Sequence, residues 1–390
     1  MRMTDASVVL GELKVRRMIN AAGNMTLLGG SVLSPGVEAA MAEANETFVD
    51  MEELLAKSGR AIAEILGAEA ALVTSGCFAA LALGTAALMA DKNADSIARL
   101  PDTTGMRNEM LIQKPTRYHY DRAVSVPGAK LVEVGDQSRV TAGQLEASIG
   151  PKTAGILYPA RWEGAEGVLS IPEVVSTATK KGVAVLIDAA AEIYPLDRMT
   201  WLASKSGAHL ICFGAKYFGS LNSTGIICGK RENVEAAVLN NFIAFETRDN
   251  HSLGRGYKVD RQEIVATLVA LREWFGMDHK KRFTLQERRL QTIAHALEGL
   301  PSVKTERFQP RQGAWMYLRV ICDETRTGKS LASVCEMLRE GDPSVRVRLE
   351  EGQLQIAAHT LKDGEDEIVA GRHRPGSLGV RCLRKRTIDA

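Results

Sequence analysis

Neither sign of charge is in excess in this 390-residue chain: 49 basic residues face 47 acidic ones, for a formal net charge of +2. A balance so near neutral provides no general attraction to a polyanion, so nucleic-acid binding would need a local basic patch. The one dense candidate is the tail "RCLRKRTIDA", read as a solvated end with no function assigned to it. Cysteine is scarce as well. Six residues (Cys77, Cys212, Cys228, Cys322, Cys335 and Cys382) are scattered without any CxxC spacing, and the start "MRMTDASVVLGELKV" has no apolar core of a secretory signal. Both absences point to a reducing, cytoplasmic compartment. No apolar run reaches the 18 residues a membrane span requires, and the nearest, "AALALGTAALMA", sits inside a helical pattern. Seven histidines show neither HExxH nor a cysteine partner at ligand spacing, which speaks against a zinc centre.

What is present is an alternation of apolar runs of strand length with longer helical periods, the pattern of an α/β domain with a mainly parallel sheet. Helices are predicted over 36–46, 52–66, 78–90, 171–181 and 231–240. Seven strand candidates, "ALVTS", "MLIQ", "KLVEVG", "AGILYPA", "VAVLIDAA", "LICFG" and "TGIICGK", would make the core sheet. From near Pro301 a second, smaller α+β region follows, in which "AWMYLRV", "SVRVRLEEG" and "LQIAAHT" alternate as half-buried strands around the helical "GKSLASVCEMLREG". The long helical segment 260–300, with few breakers, is expected to bridge the two. The division drawn from this is an N-terminal segment 1–50, a large domain 51–290 and a small domain 291–390.

Ligands of open α/β sheets bind at the carboxyl ends of the strands, so polar residues just after apolar runs carry the functional reading. Ser75, Gly76 and Cys77 form a turn from strand to helix, where free N–H groups favour an anion such as phosphate; small residues at such a turn also serve geometry alone. Asp188 ends "VAVLI", either as a helix N-cap or as a buried carboxylate awaiting a cation. Lys216 follows "LICFG" and an alanine; it is either a surface lysine or an amine whose charged form is poorly solvated and which can act as nucleophile or base. Taken together, in this chain order, the three fit pyridoxal 5'-phosphate (PLP), which needs a phosphate site, a carboxylate at its ring nitrogen and a lysine for a Schiff base. Asp188 and Lys216 are 28 residues apart, enough for a helix and a strand, so they can stand on neighbouring strand ends.

The segments "INAAGNMTLLGGSVLSPGV", "FVDMEELLAKSGRAIAEILGAEAALVTSG", "YDRAVSVPGAKLVEVG", "GVAVLIDAAAE", "GAKYFGSLNSTGIICGK", "GRGYKVDRQEIVATLVAL" and "LKDGEDEIVA" resemble, in register from about Ile19 to Ala370, the fold-type-I PLP enzymes. Within these, the likeness is to the selenocysteine synthase-like group that includes the D-glucosaminate-6-phosphate ammonia-lyases. The resemblance implies a PLP-dependent transferase-like large domain, Lys216 as the Schiff-base lysine, Asp188 as the ring-nitrogen partner and Ser75, Gly76 and Cys77 in the phosphate cup. It implies that Arg255 and Lys258 of "GRGYK" lie near a cofactor phosphate, in a neighbouring subunit of a homodimer or larger even assembly. Glu192 falls within the matched pattern without an assigned role, an acid on a helix surface being its plain reading. Departures concern substrate: Phe213 and Ser220 to Asn222 replace residues usual around the lysine. His359 stands where relatives tend to carry an arginine, so a substrate carboxylate would be held more weakly and with pH dependence, with Arg346 and Arg348 as possible substitutes. His119 and Tyr120 are the candidates for stacking on the cofactor ring, packed aromatics being the alternative.

The function expected from these residues is a PLP-dependent lyase acting on a small, hydroxylated or sugar-derived amino acid and releasing a 2-keto acid and ammonia. A racemase or epimerase shares the first proton removal and stays open as the alternative. A tRNA-directed transferase is disfavoured, since only about eighteen residues precede "INAAG"; a non-catalytic scaffold is the remaining reading. No nucleic acid, membrane or metal is expected as a partner.

Overall fold

The computed structural model describes residues 6–248, 250–300, 302–310, 313–371 and 380. The expected start of the second region at Pro301, Cys382 and the basic tail 381–390 lie outside these residues. Two compact units make up the chain, one of residues 30–277 and one joining the segment up to Gly29 with that from Asp278 onward. These bounds differ from the 50/51 and 290/291 divisions read from the sequence, for two physical reasons. Strand β1 (Met18–Asn20) pairs in parallel with a strand from the C-terminal part, which takes the N-terminal residues into the smaller unit. The segment 260–300 is also two helices, Arg261–Gly276 and His279–Leu297, rather than one bridge. Asp278 stops the first and starts the second, its carboxylate accepting the Lys281 backbone N–H at 3.0 Å.

In the larger unit, β2 (Ala70–Thr74), β3 (Glu109–Gln113), β4 (Lys130–Val134), β5 (Thr153–Pro159), β6 (Ala184–Asp188), β7 (Leu210–Gly214) and β8 (Gly225–Gly229) form one seven-stranded sheet in the order β2-β8-β7-β6-β5-β3-β4. Every residue of β5, β7 and β8 is buried, as continuous apolar runs between two helical layers require. Pairing is parallel from β7 through β6, β5 and β3 to β4, while β8 runs antiparallel to both its neighbours, so that β2 again points the same way as β7. The α/β class with a mainly parallel sheet is thus the observed one. The carboxyl ends of β2, β3, β5, β6 and β7 consequently share one edge. Helices are set by local chemistry: Ser34 and Asp50 cap the helices Pro35–Asn45 and Met51–Leu66, and Ser170 with Glu173 closes a capping box on Ile171–Lys180.

The smaller unit is α+β. Its strands β9 (Val303–Phe308), β10 (Tyr317–Cys322), β11 (Ser344–Arg346), β12 (Arg348–Glu350) and β13 (Gln353–Ala357) give an antiparallel sheet ordered β12-β13-β10-β9, plus the β1-β11 pair. Leu290, Ile293, Leu318, Val320, Val334 and Ile356 are among the buried residues of its core. Among the described residues, no helix is long and apolar enough to cross a membrane.

Candidate active site

Asp188 is the last residue of β6 and pairs in register with Cys212 of β7. Backbone bonds then lock the two strand ends together: Ala189 N donates to Cys212 O at 2.9 Å and Gly214 N to Ala190 O at 3.0 Å. Lys216 lies in the short turn Ala215–Phe218 directly after β7, two residues past that second bond, and is half-buried with Nζ 5.2 Å from the Tyr217 ring centroid. Ala215 N donates to Thr224 O at 2.9 Å, which closes the loop into β8 and holds the lysine's backbone. The acid therefore ends β6, and the amine stands in the turn that follows the adjacent, parallel, hydrogen-bonded β7.

Asp188 does not cap a helix, since the next one begins only at Leu196. Its carboxylate is 9% exposed and accepts from three donors: the Tyr118 hydroxyl on Oδ2, and the Ala190 N–H (3.0 Å) and Cys77 thiol (3.6 Å) on Oδ1. Burial pushes the Asp188 carboxyl above its usual range, opposed by the Tyr118, Ala190 and Cys77 hydrogen bonds and by the charge of Arg161. Burial, reinforced by the Asp188 charge, drives the Cys77 thiol and the Tyr118 phenol well up, so both remain protonated donors. Cys212 is pushed up in the same way.

Ser75 precedes the helix Gly76–Ala90 without a side-chain cap bond, leaving its first turn of N–H groups open to an anion. Gly76 has φ +87°, a conformation side chains rarely adopt, and a Cβ on Gly225 of β8 would lie 2.5 Å from the Gly76 carbonyl carbon. The two glycines let the β2 turn and the start of β8 approach backbone to backbone. Cys77 stands in that turn with its backbone, while its thiol points at Asp188.

The aromatic stretch holds the two stacking candidates. His119 and Tyr120 are exposed and pack on each other, with ring centroids 3.9 Å apart, and neither makes a described contact with Asp188. The residue that reaches Asp188 is Tyr118, extended at φ −155° just before the turn 119–125 swings the next side chains outward. Arg161, beyond the end of β5, and Glu192, buried at 8% exposure in the turn after β6 rather than on a helix surface, complete the residues that sequence reasoning passed over or underrated. Their signal was available: each stands within a few residues of a strand's carboxyl end. Arg255 is exposed and paired with Glu246 at 2.5 Å, and Lys258 is exposed.

In the smaller unit, His359 stacks on Trp315 (4.8 Å, 23°) and its Nε2 lies 2.8 Å from Asn24 Oδ1. Burial, then Arg348 and Arg282, push its imidazole down to about 3, so it is neutral at pH 7. Arg348 lies over the Tyr317 ring at 5.9 Å and, with Arg346, lines a cavity of about 380 Å³.

The D-glucosaminate-6-phosphate ammonia lyase of Salmonella typhimurium is 29% identical over 373 residues, covering 93% of this chain and 96% of that protein. A solved structure of a D-glucosaminate-6-phosphate ammonia-lyase superposes with a TM-score of 0.81 at 26% identity over 98% of both chains. No family profile matches the chain. A 5'-C-glycyluridine monooxygenase-decarboxylase from a Streptomyces species is 31% identical over 371 residues, 92% of this chain and 89% of that one. The chain belongs to the selenocysteine synthase-like group of fold-type-I PLP enzymes. Its cofactor is pyridoxal 5'-phosphate.

The residues of this PLP enzyme fit that group. A buried carboxylate whose described hydrogen-bond partners are all neutral donors, with the charge of Arg161 acting on it without a hydrogen bond, leaves room for a directly bonded cation, which a protonated ring nitrogen would supply. The uncapped helix start at Ser75 and Gly76 suits a phosphate, and the half-buried Lys216 is held by backbone bonds beside the acid.

Proposed function

We propose that the chain is a PLP-dependent lyase that removes the β-substituent and the amino group of a small, hydroxylated or sugar-derived amino acid, yielding a 2-keto acid and ammonia. The observation that carries this reading is the placement of Asp188 at the end of β6 and Lys216 in the turn just after the adjacent β7, in a chain 29% identical to an ammonia lyase over 93% of its length. When bound, the cofactor supplies an aldehyde for covalent attachment and a ring that takes up the electron pair left at the substrate's Cα. Lys216 would hold the cofactor in the resting protein and again once the product leaves; in between, its freed Nζ would accept the Cα proton. That proton can be returned to the departing β-hydroxyl, which leaves as water. The enamine that remains takes up water and releases ammonia, so the net change is amino acid to 2-keto-3-deoxy acid plus ammonia.

Asp188 keeps the ring nitrogen protonated, and the Ser75 and Gly76 backbone, with that of Cys77, binds the phosphate. Arg348 is assigned the substrate carboxylate, because a neutral His359 has no charge to offer it. Arg255 and Lys258, exposed on their own chain, are assigned to the phosphate site of a second copy in a homodimer or larger even assembly.

The test is incubation of the purified protein with D- and L-2-amino-3-hydroxy acids, including sugar-derived ones with and without a terminal phosphate, followed for keto acid and ammonia. Keto acid in step with ammonia supports the lyase. Enantiomer exchange without keto acid would establish the racemase instead, and oxygen uptake with carbon dioxide release would move the assignment toward the Streptomyces relative's reaction type.

A further inference from the structure

We propose that Tyr118 is a positioning residue that keeps Asp188 ionised in its dry site, so that the shared proton stays on the cofactor's ring nitrogen; this rests on the PLP reading above. A carboxylate has about four lone-pair sites. Three are taken here, by the Tyr118 hydroxyl, the Ala190 N–H and the Cys77 thiol, which leaves one for a ring N–H. Such a bond holds a proton between two bases, and the proton settles on the stronger. Burial makes the carboxylate stronger; every donor it receives makes it weaker. Without these donors the desolvated Asp188 would draw the proton toward itself and the ring would lose its positive charge, and with it its capacity to take up electrons.

The charged and titratable groups around Asp188 single out Tyr118. Cys77, from the helix after β2, donates over 3.6 Å to the same oxygen as Ala190, and a thiol is a weak donor. Cys212 on β7 acts on Cys77 and its own thiol is fully buried. Arg161, beyond β5, contributes charge without a hydrogen bond, and Lys216 is felt at Cys77. Tyr118 is the one described protein donor to Oδ2, the oxygen whose second site is left for the ring, and its phenol remains protonated at every working pH. His119 and Tyr120 are turned outward, so the extended backbone at Tyr118 selects this one side chain of the aromatic run.

The experiment compares wild type, Tyr118→Phe and Cys77→Ala, each loaded with PLP carrying ¹⁵N in the ring. In wild type the ring resonance should lie at the protonated position. In Tyr118→Phe it should move toward the unprotonated position, with kcat down about tenfold per unit by which the carboxyl's pKa rises and KM little changed; Cys77→Ala should shift it less, in the same direction. An unchanged ¹⁵N shift in Tyr118→Phe would overturn the proposal, whatever its activity. Should Tyr118→Phe fold but take up no PLP, the Asp188 carboxyl is titrated by ¹³C NMR in the cofactor-free proteins: a higher pKa in the variant upholds the proposal and an equal one ends it. Failure of the wild type itself to bind PLP strikes the function reading instead.

Discussion

Replacing Asp188 with Asn should stabilise the cofactor-free protein while disabling the enzyme, two effects of opposite sign from one atom exchange. The carboxylate is 9% exposed and faces three neutral donors, so its charge is held against a desolvation penalty of several kcal/mol. Asparagine keeps the shape and an acceptor oxygen; what is lost is the charged increment of the hydrogen bonds, about 1 kcal/mol each. The net gain is about 1–2 kcal/mol, or a rise in Tm of about 2–8 °C for a unit of this size. The pH dependence follows from the folded carboxyl being raised above its ordinary 3.8. As pH climbs past that value, the unfolded chain ionises first and gains stability at the native state's expense. The penalty is complete above the folded pKa, and the advantage of Asp188→Asn closes as pH falls back to about 3.8. Thermal melts of both cofactor-free proteins between pH 4 and 8, with turnover measured on the loaded ones, read both effects. Turnover should drop by about 10²–10³, the usual loss when a charge-stabilising group is removed. A variant less stable than wild type at pH 7 would refute the reasoning, because Asp188 would then be a structural anion satisfied within the protein.

Further outcomes follow from other parts of the structure. Gly225→Ala places a Cβ 2.5 Å from the Gly76 carbonyl carbon and 2.7 Å from Cys77 N, so it should cost about 1–3 kcal/mol and weaken PLP binding; equilibrium unfolding and cofactor titration check it. Arg348→Ala should raise KM at least tenfold for a carboxylate substrate, whereas the pH profile of kcat/KM should show no inflection from His359, whose imidazole is held down at about 3. His209 accepts the Val185 N–H at Nδ1 (3.2 Å) and is pushed down to about 4 by burial and Lys230. It therefore contributes stability above pH 6.5 that is lost as pH falls toward 4, and His209→Gln should flatten the unfolding free energy over that window.

How much of this was legible in the sequence depended on whether burial left a period to read. The sheet strands other than the half-exposed edge strand β4 are largely buried apolar runs, and the runs ending at Thr74, Asp188 and Gly214 brought their polar neighbours to one edge by topology alone. β9 escaped because "VKTERF" is mostly exposed at the edge of its sheet and carries no alternation. The break at Met277 and Asp278 was hidden by helical periodicity on both sides, and a single capping aspartate is a weak stop signal. In the site, Asp188 and Lys216 could be placed by chain order, but a choice among Tyr118, His119 and Tyr120 turns on one backbone torsion that composition does not reveal. The neutrality of His359 was likewise out of reach, since it arises from Trp315, Arg282 and Arg348, brought together by the fold of the smaller unit.

The central claim is a covalent bond between Lys216 and PLP, and the most direct measurement is borohydride reduction of the loaded protein followed by peptide mass mapping. A pyridoxyl mass on the peptide containing Lys216, together with loss of the visible absorbance band and its absence from Lys216→Ala, is the expected result. Label on a different lysine, or no visible band in a folded wild type given excess cofactor, would contradict it.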